Sequence, residues 1–217
     1  MRDRFADVRF EVCRYARKMW EAGLVAGSSG NVSARVADDA NLMAITPTSI
    51  AYDDMTADQI AIVELSTRRT IDSREAPSYE MPMHVVIYQQ RSDVAAIVHT
   101  HAPFVTTLSI LRKPLPPMID EMIVHFGGTI EVAEYAFTGT DDVGRNALAA
   151  LGDRSGVILA NHGNVCIGRD LAQALNLAVT MESAARAYVQ ALQAGEPVPL
   201  PRTAIDAGRI LFEKRRQ

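Results

Sequence analysis

An α/β fold is the class that the sequence predicts, and three observations support it. Apolar residues recur every three or four positions in several segments, the first of which spans 5–19. Short runs rich in β-branched residues lie between these segments, as at 94–99. The two patterns alternate along the chain, with strand pairs close enough to form hairpins. A length of 217 residues predicts one domain covering 1–217.

Helices are predicted by apolar stripes and by residues that favour helix ends. An opening helix that ends near Gly23 is predicted by the stripe Phe5, Val8, Val12, Tyr15 and Met19. A second helix begins at 77–78 and runs to about residue 90, with Ser78 as its N-cap and Pro82 tolerated in the first turn. Further helices are predicted at 103–111, 141–151 and 170–194, with a tail helix from about 203.

Strands are predicted where residues alternate between apolar and polar or where short β-branched runs occur. The segment 32–36 follows a stretch of small residues, and 42–45 is its predicted antiparallel neighbour. The other predicted strands are 60–65, 94–99, 130–134 and 157–160.

Charge and composition exclude several classes of partner. The formal net charge is −4, and the basic residues are dispersed until the short run 214–216. We therefore expect a small-molecule partner and no nucleic acid partner. Charged residues near the amino terminus do not resemble a signal peptide, and no segment has the roughly 20 apolar residues of a membrane span. We therefore expect a cytoplasmic protein without a membrane partner. Cys13 and Cys166 lie in apolar patterns and are expected to be buried thiols.

Three histidines follow predicted strands and are candidate metal ligands. His99 and His101 are two residues apart, and the period of a strand places both imidazoles on one face, about 6.5 to 7 Å apart along the chain. His162 follows another apolar strand and precedes Gly163, which permits a tight turn. Three neutral imidazoles with an open position are typical of a catalytic site of the zinc type.

Simpler interpretations of the histidines stay open. An isolated His-x-His pair is more often two polar residues at a strand exit. His84 lies in the middle of a predicted helix and is interpreted as a packing or surface residue. His125 precedes Phe126 and two glycines, so it is either a turn residue or part of an interface.

Five short motifs follow one another along the chain: Gly30-Asn31-Val32-Ser33, Thr46-Pro47-Thr48, Pro77-Ser78-x-Glu80, His99-x-His101 and His162-Gly163. In this order and approximate spacing the chain resembles the class II aldolase/adducin-head family between about residues 5 and 195. Jointly the motifs are specific, although each alone is weak. The resemblance implies a three-layer α/β/α fold with a largely antiparallel central sheet. It also implies a homo-oligomer, usually a cyclic homotetramer, with active sites between subunits.

The resemblance further implies a lyase of carbohydrate metabolism. The expected reaction is metal-dependent aldol cleavage of a ketose 1-phosphate, of the L-fuculose 1-phosphate or 5-deoxy- or 5-methylthioribulose 1-phosphate type, to dihydroxyacetone phosphate and a short aldehyde. One divalent metal per chain, Zn²⁺ with Mn²⁺ or Co²⁺ as alternatives, would be held by His99, His101 and His162. Glu80 would be the catalytic acid/base, although the helix dipole alone favours a glutamate in a first turn by about 0.3 to 1 kcal/mol.

A phosphate pocket is also implied by the resemblance. Hydroxyls, loop amides and a helix N-terminus can hold an anion without lysine. The simpler interpretation is that these are turn and capping residues, Ser49 in particular. The predicted phosphate-binding residues are Ser28, Ser29, Gly30, Asn31, Thr48, Ser49 and Ser78.

Other activities of the same family remain as alternatives. They are methylthioribulose-1-phosphate dehydration, sugar-phosphate epimerisation and decarboxylation. A non-catalytic adducin-head-like scaffold is less favoured, because the chain keeps the three histidines and Glu80.

Three departures from the members that cleave L-fuculose 1-phosphate affect the expected specificity. Ser49 replaces a glycine, Tyr79 replaces a second serine before the glutamate, and Asp120 stands where a tyrosine assists the aldehyde oxygen. Asp120 is therefore a second candidate catalytic residue. Four methionines flank the catalytic segments and either contact a less polar substrate tail or pack the core. They are Met81, Met83, Met118 and Met122.

Overall fold

The computed structural model describes residues 4–216, so residues 1–3 and 217 of the predicted domain lie outside the described part. The helices are α1 Ala6–Glu21, α2 Met81–Gln90, α3 Pro103–Leu111, α4 Asp120–Phe126, α5 Asp141–Leu151, α6 Leu171–Ala194 and α7 Arg202–Arg216. The strands are β1 Asn31–Val36, β2 Asp39–Ile45, β3 Ala61–Glu64, β4 Thr70–Asp72, β5 Ala96–Thr100, β6 Val132–Ala133, β7 Gly156–Leu159 and β8 Gly163–Gly168.

These strands form one sheet in the order β4-β3-β2-β1-β5-β8-β7-β6. Six of the seven neighbouring pairs are antiparallel, and β6 with β7 is the parallel pair among the described residues. The sheet is therefore mixed, and the prediction of a largely antiparallel sheet is confirmed. Two neighbouring interior strands, β5 and β8, are buried along their whole length.

Helices cover both faces of this sheet. On one face, apolar residues of α1, α3, α4 and α6 pack against every second residue of the strands, such as Val98 in β5. On the other face, α2 and α5 pack against the alternate residues, such as Ile97. This alternation follows from the period-two geometry of a strand. The three-layer α/β/α architecture expected from the resemblance is thus the one observed.

Some element predictions differ from the structure. Helix α2 begins at Met81 rather than at 77–78, and Glu80 occupies its N-cap position, so the prediction that Ser78 caps this helix is wrong. Instead the Ser78 hydroxyl accepts a hydrogen bond from the Glu80 amide at 3.3 Å, which forms a tight turn before the helix. The sequence interpretation also missed α4, β4 and β8.

The remaining predictions about burial are consistent with the structure. Cys13 and Cys166 are both buried free thiols. Within residues 4–216, no helix combines the length and apolar character that crossing a membrane requires.

Candidate active site

Two neighbouring interior strands of the sheet bring the three predicted histidine ligands together. His99 lies in β5, His101 follows the end of that strand, and His162 directly precedes β8. Strands β5 and β8 are paired, with His99 opposite Val165. The ring centroids are 4.8 to 4.9 Å apart in all three pairs, and the ring planes meet at 71° to 73°. The imidazoles therefore surround one point from three sides.

The protonation state of His99 follows from its hydrogen bond to the backbone. Its Nδ1 atom lies 2.9 Å from the carbonyl oxygen of Asn164, which can only accept, so Nδ1 carries a proton. In the neutral ring the lone pair is then on Nε2, the nitrogen that faces His101 at 3.0 Å. This arrangement orients the ring as second-shell hydrogen bonds orient ligands in metal sites.

Glu80 closes the fourth side of this cluster. Its Oε2 atom lies 3.1 Å from His99 Nε2, and its Oε1 atom lies 2.9 Å from His162 Nε2. Asn31 Nδ2 donates to Oε2 at 2.8 Å, and the Thr138 hydroxyl donates to Oε1 at 2.7 Å. The Glu80 side chain is 13% exposed, so its carboxylate is held from several directions while one side still reaches the pocket.

These contacts shift the pKa values of the glutamate and of two of the histidines. Burial opposes the charge on Glu80, but His99 and His162 outweigh it and hold the pKa of the carboxyl far below its usual range. Burial also opposes a charge on His99, but the neighbouring Glu80 raises its pKa overall. For His101, burial and the charges of the other two histidines lower the pKa to about 3. An ionised carboxylate therefore lies beside a neutral imidazole at neutral pH.

The cluster suits one divalent metal ion. One ligand atom from each of the four residues lies within 4.8 Å of the others. Two nitrogens bound at 2.0 to 2.1 Å in a tetrahedral site are about 3.3 Å apart, which is close to the 3.0 Å between His99 Nε2 and His101 Nε2. Two nitrogen lone pairs and a carboxylate directed at one point repel each other unless a proton or a cation lies between them. The donor set is the one that Zn²⁺, Mn²⁺ and Co²⁺ accept.

A pocket of about 420 Å³ opens beside the cluster, and it includes every predicted phosphate-binding residue. One part of its wall carries hydroxyls and backbone amides, and the cluster forms the adjoining part. Among the described residues no lysine or arginine lines it. The hydroxyl-bearing wall consists of Ser28, Ser29, Gly30, Asn31, Thr48, Ser49 and Ser78.

The loop before β1 is held against β5, the strand that carries His99. The Tyr52 hydroxyl donates to the carbonyl oxygens of Ser29 and Gly30 at 3.0 and 2.8 Å. Gly30 has a φ of +75°, and a Cβ atom there would lie 2.6 Å from Val25 Cγ1 and 2.7 Å from the carbonyl oxygen of His99. Only glycine fits this close approach, so the loop and His99 keep a fixed relative position.

Sequence reasoning noted Tyr79 only as a departure from the family pattern, and it missed the other two aromatic residues of the pocket. Tyr79, Tyr135 and Phe137 line it and are 60%, 54% and 65% exposed. The last two lie with Thr138 in the irregular segment between β6 and α5, where no periodicity or motif marks a site. Three large exposed aromatic side chains grouped around one opening are the signal, and it requires the fold.

Other residues singled out from the sequence lie away from the pocket lining. Asp120 is exposed in the first turn of α4 and does not line this pocket. The suggestion that methionines contact the substrate tail is not supported, because Met83 and Met122 are buried in the core and none of the four lines the pocket. His84 is fully buried and hydrogen-bonded, and His125 lies in the last turn of α4.

Comparison with known proteins agrees with this geometry. The family model described as "Class II Aldolase and Adducin N-terminal domain" matches residues 10–189. The chain is 37% identical over 186 residues to the 5-methylthioribulose-1-phosphate/5-deoxyribulose-1-phosphate aldolase of Rhodospirillum rubrum. The aligned region covers 86% of this chain and 82% of that relative. The chain is 32% identical over 205 residues to the 5-deoxy-D-ribulose 1-phosphate aldolase of Bacillus thuringiensis, covering 94% and 95%. A solved structure of L-fuculose 1-phosphate aldolase matches with a TM-score of 0.90 at 35% identity, covering 96% of this chain and 97% of that one.

Proposed function

Because the chain belongs to the class II aldolase and adducin N-terminal domain family, we propose that it is a metal-dependent aldolase that cleaves a ketose 1-phosphate to dihydroxyacetone phosphate and a short aldehyde. The observation that carries the proposal is the position of Glu80. Its carboxylate lies against three converging imidazoles and at the wall of a pocket whose next surface carries hydroxyls and amides. A proton-transfer group, a metal-binding cluster and an anion-binding surface are thus adjacent.

We assign the metal ligands to His99, His101 and His162, and we propose Zn²⁺ as the native ion. When bound, the ion supplies Lewis-acid stabilisation of the negative charge that develops on the ketone oxygen, an effect worth several kcal/mol. When the bond between C3 and C4 breaks, the C4 hydroxyl loses its proton and becomes the aldehyde, and C3 keeps the electron pair. The Glu80 carboxylate, which is ionised at rest, takes up that proton and returns it to C3. No lysine among the described lining residues is available for a Schiff base.

We propose that the phosphate binds at the hydroxyl-bearing wall. Ser49 has a φ of +58°, and the loop 27–31 is held by Tyr52, so hydroxyls and amides are presented in a fixed arrangement. Preorganised amides in left-handed or turn conformations form concave anion sites without a cationic side chain. The phosphate end of the substrate would then lie beside the proposed metal-binding histidines.

The aromatic residues support a substrate with a less polar tail. Tyr79, Tyr135 and Phe137 line the same pocket as Glu80, whereas the methionines considered from the sequence do not. A methyl or methylthio group gains dispersion and sulfur–aromatic contacts of about 0.3 to 1.5 kcal/mol against such rings. We therefore propose that 5-deoxy- and 5-methylthioribulose 1-phosphate are preferred over L-fuculose 1-phosphate, in line with the names of the Rhodospirillum rubrum and Bacillus thuringiensis relatives.

The assembly remains a proposal that rests on the resemblance. We propose a homotetramer with active sites between subunits. Asp120 is exposed and outside the pocket of its own chain, so it can take part only if another copy brings it to a neighbouring site. The single domain and the cytoplasmic location expected from the sequence also stay proposals.

Metal analysis tests the proposed centre. Protein purified without chelator is expected to contain one divalent ion per chain, and His101→Ala is expected to lose it while remaining folded. Wild-type protein that is metal-free, and that stays inactive after addition of zinc, manganese or cobalt, would refute the metal centre.

A substrate comparison tests the reaction. We expect release of dihydroxyacetone phosphate, with a higher kcat/KM for the 5-deoxy and 5-methylthio pentulose phosphates than for L-fuculose 1-phosphate at equal metal loading. Cleavage of all three with a strong preference for the fully hydroxylated sugar would remove the proposed tail specificity alone. Loss of water from the substrate without carbon–carbon cleavage would instead assign the dehydratase activity.

A further inference from the structure

A chain of buried hydrogen bonds runs from Glu80 into the interior of the protein. Asn31 Nδ2 donates to Glu80 Oε2 at 2.8 Å, and Asn31 Oδ1 lies 2.5 Å from His84 Nε2. The other ring nitrogen, His84 Nδ1, lies 2.7 Å from the Ser33 hydroxyl, which is 3.0 Å from the Tyr88 hydroxyl. Every member except Glu80 is at most 2% exposed.

The direction of each hydrogen bond can be deduced from its acceptor end. The ionised carboxylate of Glu80 can only accept, so Asn31 turns its NH₂ group towards it and its carbonyl oxygen towards His84. His84 must therefore carry a proton on Nε2. If Nδ1 accepts from Ser33, then the Ser33 oxygen accepts from Tyr88, and every proton in the chain has a partner.

The charged form of His84 does not fit this chain. With a proton on Nδ1 as well, three protons, those of Nδ1, Ser33 and Tyr88, would have to share the two hydrogen bonds at Ser33. Neither hydroxyl has another hydrogen-bond partner among residues 4–216, so one hydroxyl proton would be left without an acceptor. Burial and the nearby His99 also lower the pKa of His84 to about 3. The ring is therefore neutral at physiological pH.

We propose that His84, as a neutral imidazole protonated on Nε2, is a positioning residue that fixes the Asn31 amide and through it the carboxylate of Glu80. This inference rests on the proposed acid–base role of Glu80. Two of the four contacts of Glu80 come from His99 and His162, and both are proposed metal ligands. Asn31 is then one of two contacts from residues that are not ligands, the other being Thr138.

The need for a positioning residue follows from the shape of an amide. The oxygen and nitrogen of Asn31 are nearly equal in size, so the side chain can rotate by half a turn without steric cost. The rotated amide would place its carbonyl oxygen against the Glu80 carboxylate, and the attractive contact at 2.8 Å would become repulsive. The Nε2 proton of His84 prevents this rotation because it can bond only to the carbonyl end.

Nuclear magnetic resonance tests the tautomer without any activity measurement. In the full-length, metal-loaded protein with ¹⁵N-labelled histidine, the signal that disappears in His84→Gln belongs to His84. We expect a proton on Nε2 and none on Nδ1 at neutral pH. A proton on Nδ1 alone, or on both nitrogens, would overturn the proposal, whatever reaction the enzyme catalyses.

Kinetics of two variants test the positioning role. His84→Gln keeps an N–H donor near the Nε2 position, whereas His84→Leu removes it. We expect His84→Leu to lower kcat about tenfold with a smaller change in KM, and His84→Gln to retain most of the activity. In an Asn31→Ala background, where the relay is already broken, His84→Leu should change kcat less than twofold.

A merely structural role predicts a different result. It would lower the melting temperature of both His84 variants and change kcat equally with and without Asn31, and that outcome would refute positioning. His125→Gln, the same substitution at a histidine outside the pocket, is the control and should leave kcat unchanged. If His84→Leu does not fold, His84→Gln and the tautomer measurement still decide. Wild-type protein without lyase activity would refute the proposed function and leave the tautomer result to stand by itself.

Discussion

Replacing Glu80 with glutamine removes a proton-transfer group and keeps the size of the side chain. The structure indicates the orientation of the new glutamine amide. The Thr138 hydroxyl can accept as well as donate, whereas Asn31 Nδ2 can only donate, so the new carbonyl oxygen should face Asn31 and the new NH₂ group should face Thr138. Both contacts survive, so fold and metal content should be retained. Loss of general acid–base catalysis lowers kcat by about 10² to 10⁴, which is about 2.7 to 5.4 kcal/mol of barrier.

The assay for Glu80→Gln follows dihydroxyacetone phosphate release under saturating substrate, with metal content and melting temperature measured on the same preparation. Glu196→Gln, the same change at an exposed residue between α6 and α7, is the control and should match the wild type. Turnover within a few-fold of the wild type at equal metal content would show that another group carries the proton. A loss of metal with the activity would show instead that Glu80 acts mainly as a ligand.

Two further substitutions test the supports of the site. Tyr52→Phe removes the hydroxyl that bonds the loop carbonyls at 3.0 and 2.8 Å, and it should raise KM several-fold and lower the free energy of unfolding by about 1 kcal/mol, measured by steady-state kinetics and urea titration. Glu182→Ala removes a buried carboxylate that accepts from the amides of Phe104 and Val105 at the start of α3, and urea titration should show a loss of about 1 to 3 kcal/mol. An unchanged KM in the first case, or unchanged stability in the second, would contradict these roles.

Much of the histidine cluster could be predicted because strand geometry is local. Two histidines two residues apart at a strand end must share a face, and His162 ends another apolar strand. The pairing of β5 with β8 brings His162 next to His99 and His101, and local strand geometry could not predict it. Strand β8 has glycine at both ends and Asn164 within it, so its sequence resembles a turn and was missed.

The rest of the pocket depends on contacts between distant segments. Thr138 reaches Glu80 across 58 residues of chain, and no repeat or periodicity predicts that contact. Burial was equally hard to predict for Met83 and Met122, because an apolar residue near a catalytic motif fits a core and a binding surface alike. The role of Asp120 stays a prediction that concerns a second copy of the chain.

The sheet order has a consequence for how the protein unfolds. Strands β1 to β4 form a series of neighbours on one side of β5, whereas β8, β7 and β6 extend from its other side. His99 and His101 lie in or directly after β5, and His162 directly precedes β8. One ion bound by all three would therefore connect the two sides of the sheet where β5 pairs with β8. Binding that requires both sides stabilises only the state in which both are folded. Metal-loaded protein should therefore unfold at a higher temperature than protein treated with a chelator.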